Sequence, residues 1–416
     1  MKRTLSTFLI LLAIGIIGCE KDNAQVDKEI TSGDLNFSVT YEQTMDNTIY
    51  PSLILALSNY SAQENESFEL IKYRLTAPEK DAELKVELDI STINNQTTFQ
   101  KFVTGDGTEK SFTPMISWNY ENLESLTQPG NVDLSFTCYI DDKEIDNKNL
   151  RLSYRSINEC VYGYIDKNGE YIDFSEMFAA YVNEDHPKID EFLEETLNHK
   201  IVDSFYGYQR ETESSVLEQV AAIWYTLQNK GVKYSSITNT SNPSDSVFTQ
   251  HVRLFEEVYN NNQANCVDGS VFIASILKKI DIKPFLVMVP GHMYLGFYTS
   301  ADESSFELLE TTSVGQIDLD EIYEEGNYVY NLDKYLNYLS SETYNQYMSG
   351  LCSLEKVKKE ISRNSLLEAL NANINDWNNN LSKFNDPENY NYTTIDIEEV
   401  RNFIQPIGRV SNQAIQ

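Results

Sequence analysis

Ala264-Asn265-Cys266-Val267-Asp268-Gly269-Ser270 opens the stretch, residues 264–312, whose reading decides the fold. After it, Val267, Val271, Ala274 and Leu277 recur at helical spacing and cover one side of a helix that ends near Lys279. Pro284-Phe285-Leu286-Val287-Met288-Val289 then reads as a strand, Pro290-Gly291 as a turn, and His292 as the opening of a second strand. A third strand, Phe306 to Thr312, carries Glu310 near its end. A helix followed by consecutive strands, with a thiol, an imidazole and a carboxylate at their ends, predicts an α+β domain with a thiol-nucleophile site.

Each of the three residues has a chemical reason to be where it is. In the first turn of a helix, Cys266 faces unpaired backbone N–H groups and the positive end of the helix dipole, an environment that favours thiolate. Asn265 is placed to cap that helix. The competing reading makes Cys266 a small buried residue, as most free cysteines are. His292, on a strand packed against the helix start, is within reach of the thiol proton; otherwise it is a polar strand end without a role. The position of Glu310 depends on hairpin register. An even register sets it opposite residue 292 or 294, on the face of His292, and an odd register turns it away.

The segments Lys230-Gly231-Val232-Lys233-Tyr234, Gln250-His251-Val252-Arg253, Asn265-Cys266-Val267-Asp268, Val289-Pro290-Gly291-His292 and Glu310-Thr311-Thr312 together resemble the transglutaminase-like (papain-like) cysteine protease superfamily. The resemblance covers roughly residues 210–315. It implies a nucleophile at Cys266, a base at His292 and an orienting acid at Glu310, where the family usually has aspartate. It implies cleavage or transfer at an amide bond without a cofactor. A degenerate, non-catalytic binding protein on the same fold is the alternative. Gln250, Arg253 and Asn265 are the binding candidates. Gln250 is expected near an oxyanion site and Arg253 on a substrate carboxylate or carbonyl, unless both are surface or core-bridging polar residues.

Outward from this stretch the periodicity divides the chain. Leu84-Val86-Leu88-Ile90 and Val132-Leu134-Phe136-Cys138-Ile140 alternate as strands do, and residues 34–160 read as a β-sandwich, immunoglobulin-like, with no helical pattern. Residues 170–416 read as the transglutaminase-like domain with a C-terminal helical extension. Its helices are expected at Phe174–Val182, from Pro187, around Val216–Leu227, at 333–348 and at 354–372. Trp224 and Tyr225 are expected in the core. Residues 236–247, Asn378-Asn379-Asn380 and the Asn/Tyr-rich 385–393 read as loops, and Ile395–Ile404 as a closing amphipathic segment.

At the amino end, Lys2-Arg3 and the apolar run Phe8–Ile17 form a leader too short to span a bilayer. Its end, Ile16-Ile17-Gly18-Cys19, resembles the lipobox of bacterial lipoproteins. This implies a signal peptide over 1–18, a lipid on Cys19, a tether over 19–33, and an outer-membrane lipoprotein facing periplasm or cell surface. With 32 basic and 64 acidic residues the formal charge is −32, which disfavours nucleic acid and anionic lipid as partners. The expected substrate is a polypeptide or a peptidoglycan-type amide. Cys138 and Cys160 are a conceivable disulfide or two free thiols, and four scattered histidines argue against a metal site.

Overall fold

The computed structural model describes residues 30–32, 37–41, 45–58, 71–78, 80–166, 168–236, 244–326, 328–386 and 389–408. The leader and Cys19 lie outside the described residues. Among these residues, no helix is long and apolar enough to cross a membrane. The architecture is α+β.

Two sheets built almost entirely of antiparallel strands form the first unit. One runs Ile30–Ser32, Phe37–Tyr41, Ile71–Thr76, Glu109–Phe112 in spatial order. Its first strand falls inside the segment expected to be a tether. The other runs Thr48–Ile49, Lys143–Tyr154, Gly130–Ile140, Ala82–Asp89, Thr97–Val103, with the two-residue Thr48–Ile49 joining in parallel. Along Ala82–Asp89 every second residue is buried, so Leu84, Val86 and Leu88 face the other sheet. Across the gap, the Tyr73 ring meets Phe99 edge-on at 5.9 Å. Two short helices, Pro51–Ala56 and Tyr120–Glu124, interrupt what the alternation predicted to be purely β. All six residues of Pro51–Ala56 are buried, which explains why no amphipathic period announced it.

That buried helix ties the two units together. The Gln405 N–H donates to the Ala56 carbonyl at 2.7 Å, and Tyr181 donates its hydroxyl to the Ile157 carbonyl at 2.8 Å. A single apolar core runs from Tyr73 and Leu134 through Leu53 and Ile157 to Ile273 and Leu286. Glu159–Ile165 pairs with Tyr171–Asp173 on one side and with Val247–His251 on the other. This last strand begins where the sequence reading placed the end of a loop. Cys138 and Cys160 are both buried free thiols.

The second unit is centred on four antiparallel strands in the order Phe306–Leu309, His292–Tyr298, Pro284–Val289, Thr393–Asp396. The helix Cys266–Lys279 packs on this sheet, and Glu213–Asn229 packs against Leu354–Asn371 beside it. Trp224 and Tyr225 are both buried. Two expectations fail at the carboxyl end. Asn378-Asn379-Asn380 lies within the helix Ile374–Phe384, because Trp377 packs on Phe306 and Phe384, and that packing outweighs the poor helix propensity of asparagine. Thr393–Asp396 is an edge strand rather than part of an amphipathic segment, and only the single turn Ile397–Val400 is helical. Phe174–Val182 is also tighter than expected, a 3₁₀ segment over Ser175–Tyr181.

Candidate active site

The helix carrying Cys266 starts on a reciprocal cap. Asn265 is extended, and its side chain accepts from the Asp268 N–H at 2.8 Å. Asp268 returns the bond, accepting from the Asn265 N–H at 3.0 Å. Asp268 is fully buried, and its charge is met by the Arg253 guanidinium and by the Arg253 N–H at 2.8 Å. With the Asp268 N–H taken by the cap and the Gly269 N–H by the Asn265 carbonyl, Cys266 and Val267 present the first-turn donors at the cleft.

The segment carrying Glu310 is seated on that same turn. Thr311 donates its hydroxyl to the Cys266 carbonyl at 3.4 Å and lies 3.3 Å from the Ser270 hydroxyl. Gly269 makes room for it: a Cβ there would stand 3.1 Å from the Thr311 hydroxyl. The strand Phe306–Leu309 pairs Leu309 with Leu295, the even register that keeps Glu310 on the His292 side. Glu310 itself lies one residue past the strand and caps the 3₁₀ turn Thr311–Gln316.

His292 enters from the Pro290-Gly291 turn, where Gly291 has φ +73° and no neighbour that a Cβ would meet. Its Nε2 lies 2.7 Å from Glu310 Oε2. The Cys266 thiol is the other side-chain partner of the ring. Glu310 is held at both oxygens. Oε1 accepts from the Thr312 N–H at 3.1 Å and from the Thr312 hydroxyl, and Oε2 accepts also from Asn373 Nδ2 at 3.0 Å. The Cys266 thiol, then Glu310, push the His292 titration up to about 10 against the opposing effect of burial. Burial works to raise Glu310, but hydrogen bonds from His292, Thr312 and Asn373 outweigh it and hold the carboxyl at about 2.

Cys266 and His292 open onto a cleft of about 500 Å³ whose walls include Tyr162, Tyr171, Phe178, Phe248 and Tyr390. Of the three binding candidates, only Gln250 lines it, and its amide donates to the His251 carbonyl at 2.8 Å. Asn265 serves as the helix cap, and Arg253 is engaged with Asp268 rather than facing the cleft. Three contributors were missed. Thr312 and Asn373 hold the acid. Tyr234, half-exposed, pairs by its strand with Ala264 and titrates high, through burial first and then through Cys266, Glu310 and Asp268. The segment Lys230–Tyr234, whose last two residues form a short strand, was the available signal for Tyr234; nothing local marks Asn373. Among the described residues no group of three His, Cys, Asp or Glu side chains is placed to hold a metal. Comparison with family models, curated proteins and solved structures gives no match to this chain.

Two outcomes follow. Arg253→Met leaves Asp268 buried without its partner and is expected to cost about 3–5 kcal/mol in urea unfolding; a change below about 1 kcal/mol would show the pair to be dispensable. His292 lies above its ordinary 6.5, so its contribution to stability is complete below that pH and is lost as pH rises through about 10. Glu310 lies below its ordinary 4.5, so its contribution is complete above that pH and is lost as pH falls toward about 2. Ring-carbon NMR should therefore find His292 titrating near 10 and shifted downward in Glu310→Gln; an ordinary titration in the unaltered protein would contradict the pairing.

Proposed function

We propose that this chain is an exported, lipid-anchored thiol enzyme acting on amide bonds, on a transglutaminase-like domain preceded by an immunoglobulin-like module. The observation that carries the reading is the 2.7 Å contact between His292 and a fully held Glu310, made beside a half-buried cysteine at a helix start that opens to a cleft. Buried carboxylates beside an imidazole can be structural, but a structural pair has no need of an accessible thiol on the ring's other side.

In this reading the Cys266 thiol gives its proton to His292 and the sulfur attacks the carbonyl carbon. The N–H groups of Cys266 and Val267 receive the oxyanion. His292 gives its proton to the leaving nitrogen as the C–N bond breaks, and the acyl group remains on sulfur as a thioester. Water or an amine, losing a proton to His292, then releases the acyl group and frees the sulfur. Glu310 keeps Nε2–H engaged, so the nitrogen facing the thiol carries the travelling proton.

The module assignment has support in strand order. Leaving aside the short Ile30–Ser32 and Thr48–Ile49 at the sheet edges, Phe37–Tyr41, Ile71–Thr76 and Glu109–Phe112 letter as A, B and E, and the other sheet reads G-F-C-C′. That is the partition of immunoglobulin-like sandwiches. The anchor and an outer-membrane location rest on Ile16-Ile17-Gly18-Cys19, and a polypeptide or peptidoglycan-type amide substrate rests on the thiol site.

Alkylation with iodoacetamide, followed by peptide mass spectrometry, tests the site. Cys266 and Cys352 are both half-buried, so exposure alone predicts similar rates. Cys266 is expected to react at least about tenfold faster, and His292→Ala to lower turnover of any amide substrate on the order of 10²–10⁴-fold. Equal rates at the two cysteines, unaffected by His292→Ala, would leave a non-catalytic binding protein as the reading.

A further inference from the structure

The acid of the site is held from two directions. Glu310 Oε1 takes its donors from Thr312, two residues along the chain. Oε2 is shared between His292 Nε2 at 2.7 Å and Asn373 Nδ2 at 3.0 Å, and Asn373 comes from a separate element 63 residues on. It stands at the corner between the helices Leu354–Asn371 and Ile374–Phe384. At the same corner the Ala369 carbonyl accepts the Glu310 N–H at 3.1 Å. Ala369 supplies one of the last four carbonyls of its helix, which have no donor within the helix itself. One corner thus holds Glu310 by backbone and by side chain.

Asn373 gives something up to be there. An asparagine at a helix start ordinarily turns its side-chain oxygen to the N–H groups of the first turn, which stabilises the helix. Asn373 occupies that position ahead of Ile374, yet its side chain makes no cap hydrogen bond and donates to Glu310 instead. The carboxylate also lies toward the carboxyl end of Leu354–Asn371, where the helix dipole disfavours a negative charge, so a donor beside it has a further use. A departure from the local rule at a residue that touches the acid marks Asn373 as serving the site rather than its own helix.

Glutamate has one more rotatable bond than aspartate, so its carboxylate needs more fixing to face a ring. Donors on Oε1 leave Oε2 able to swing around them; a donor on Oε2 from a second element removes that motion. We infer that Asn373 is a positioning residue that acts through Glu310 on His292, holding Oε2 against Nε2 so that the imidazole keeps the orientation in which it serves Cys266. The inference rests on the thiol-enzyme reading and adds the carboxyl-terminal helix corner to its machinery. A donor that merely shared the charge of Oε2 would act in the opposite sense. Its removal would leave Oε2 the stronger acceptor and draw the His292 proton tighter.

Two variants of the full chain provide the test: Asn373→Leu, similar in size and without the donor, and Asn373→Gln, which keeps the amide on a longer stem. In Asn373→Leu the His292 titration, read by ring-carbon NMR, should move down by about one pH unit. The iodoacetamide rate of Cys266, divided by that of Cys352, should fall severalfold at neutral pH. Asn373→Gln should restore part of both. Where Asn373→Leu lowers the urea midpoint too far for these readings, Asn373→Ser, short and suited to a helix start, gives them instead. A His292 titration that stays or moves up, an alkylation ratio that does not follow it, or equal effects with and without the amide overturns the inference, whatever happens to the urea midpoint. Equal alkylation of Cys266 and Cys352 in the unaltered protein fails the enzyme reading instead, so the two failures are distinguishable.

Discussion

Two carboxylates are buried within one turn of the same helix start, and neither could stay charged there without donors. Asp268 is met by Arg253 and by the Asn265 N–H; Glu310 is met by His292, Thr312 and Asn373. Satisfying both fixes three separate pieces of chain against Cys266. The strand ending at His251 delivers Arg253, the strand ending at Leu309 delivers Glu310 and Thr312, and the carboxyl-terminal helices deliver Asn373. The site's geometry is thus a by-product of charge satisfaction around one turn of helix.

This accounts for why the helical extension is not an appendage. Ser365 accepts from Trp224 Nε1 at 3.0 Å and from Gln228 Nε2 at 2.8 Å, which seats Leu354–Asn371 on Glu213–Asn229. From that seat the helix lays Ala369 and Asn373 against Glu310. Further on, Tyr390 and Asn391 reach the cleft, and Thr393–Asp396 hydrogen-bonds along Pro284–Val289, the strand that leads into the His292 turn. The chain from Leu354 onward therefore meets the site at its acid, at its cleft wall and through its sheet.

What was legible in the sequence was whatever depends on neighbours a few residues apart. The 266–279 helix follows from its apolar spacing and its cap, and the Pro290-Gly291 turn from the residue types a left-handed position demands. The parity of the 292/310 register was reduced to two cases, and only Leu295 facing Leu309 chooses between them. Burial on all sides hid the Pro51–Ala56 helix, since a segment covered all round shows no period. Tertiary packing by Trp377 and Phe384 overrode the asparagines of 378–380. Arg253 read either as a substrate ligand or as a core-bridging polar residue, and its pairing with Asp268 is what favours the second. Asn373 was invisible because its partner is 63 residues away in sequence.

The placement of charge separates the site from the surface. Around Cys266 each buried acid has its cation or its donors, so the excess of 64 acidic over 32 basic residues is expressed on the surface rather than at the reacting atoms. A charged pair such as His292 and Glu310 can then hold its proton distribution over a wide pH range inside an acidic molecule, because the short contact and the hydrogen bonds at both carboxylate oxygens act at closer range than the distant surface field, which salt screens within about 8–10 Å. The long-range field acts instead on what arrives from solution. Local pairing governs protonation at the site, and net charge sets the field around it.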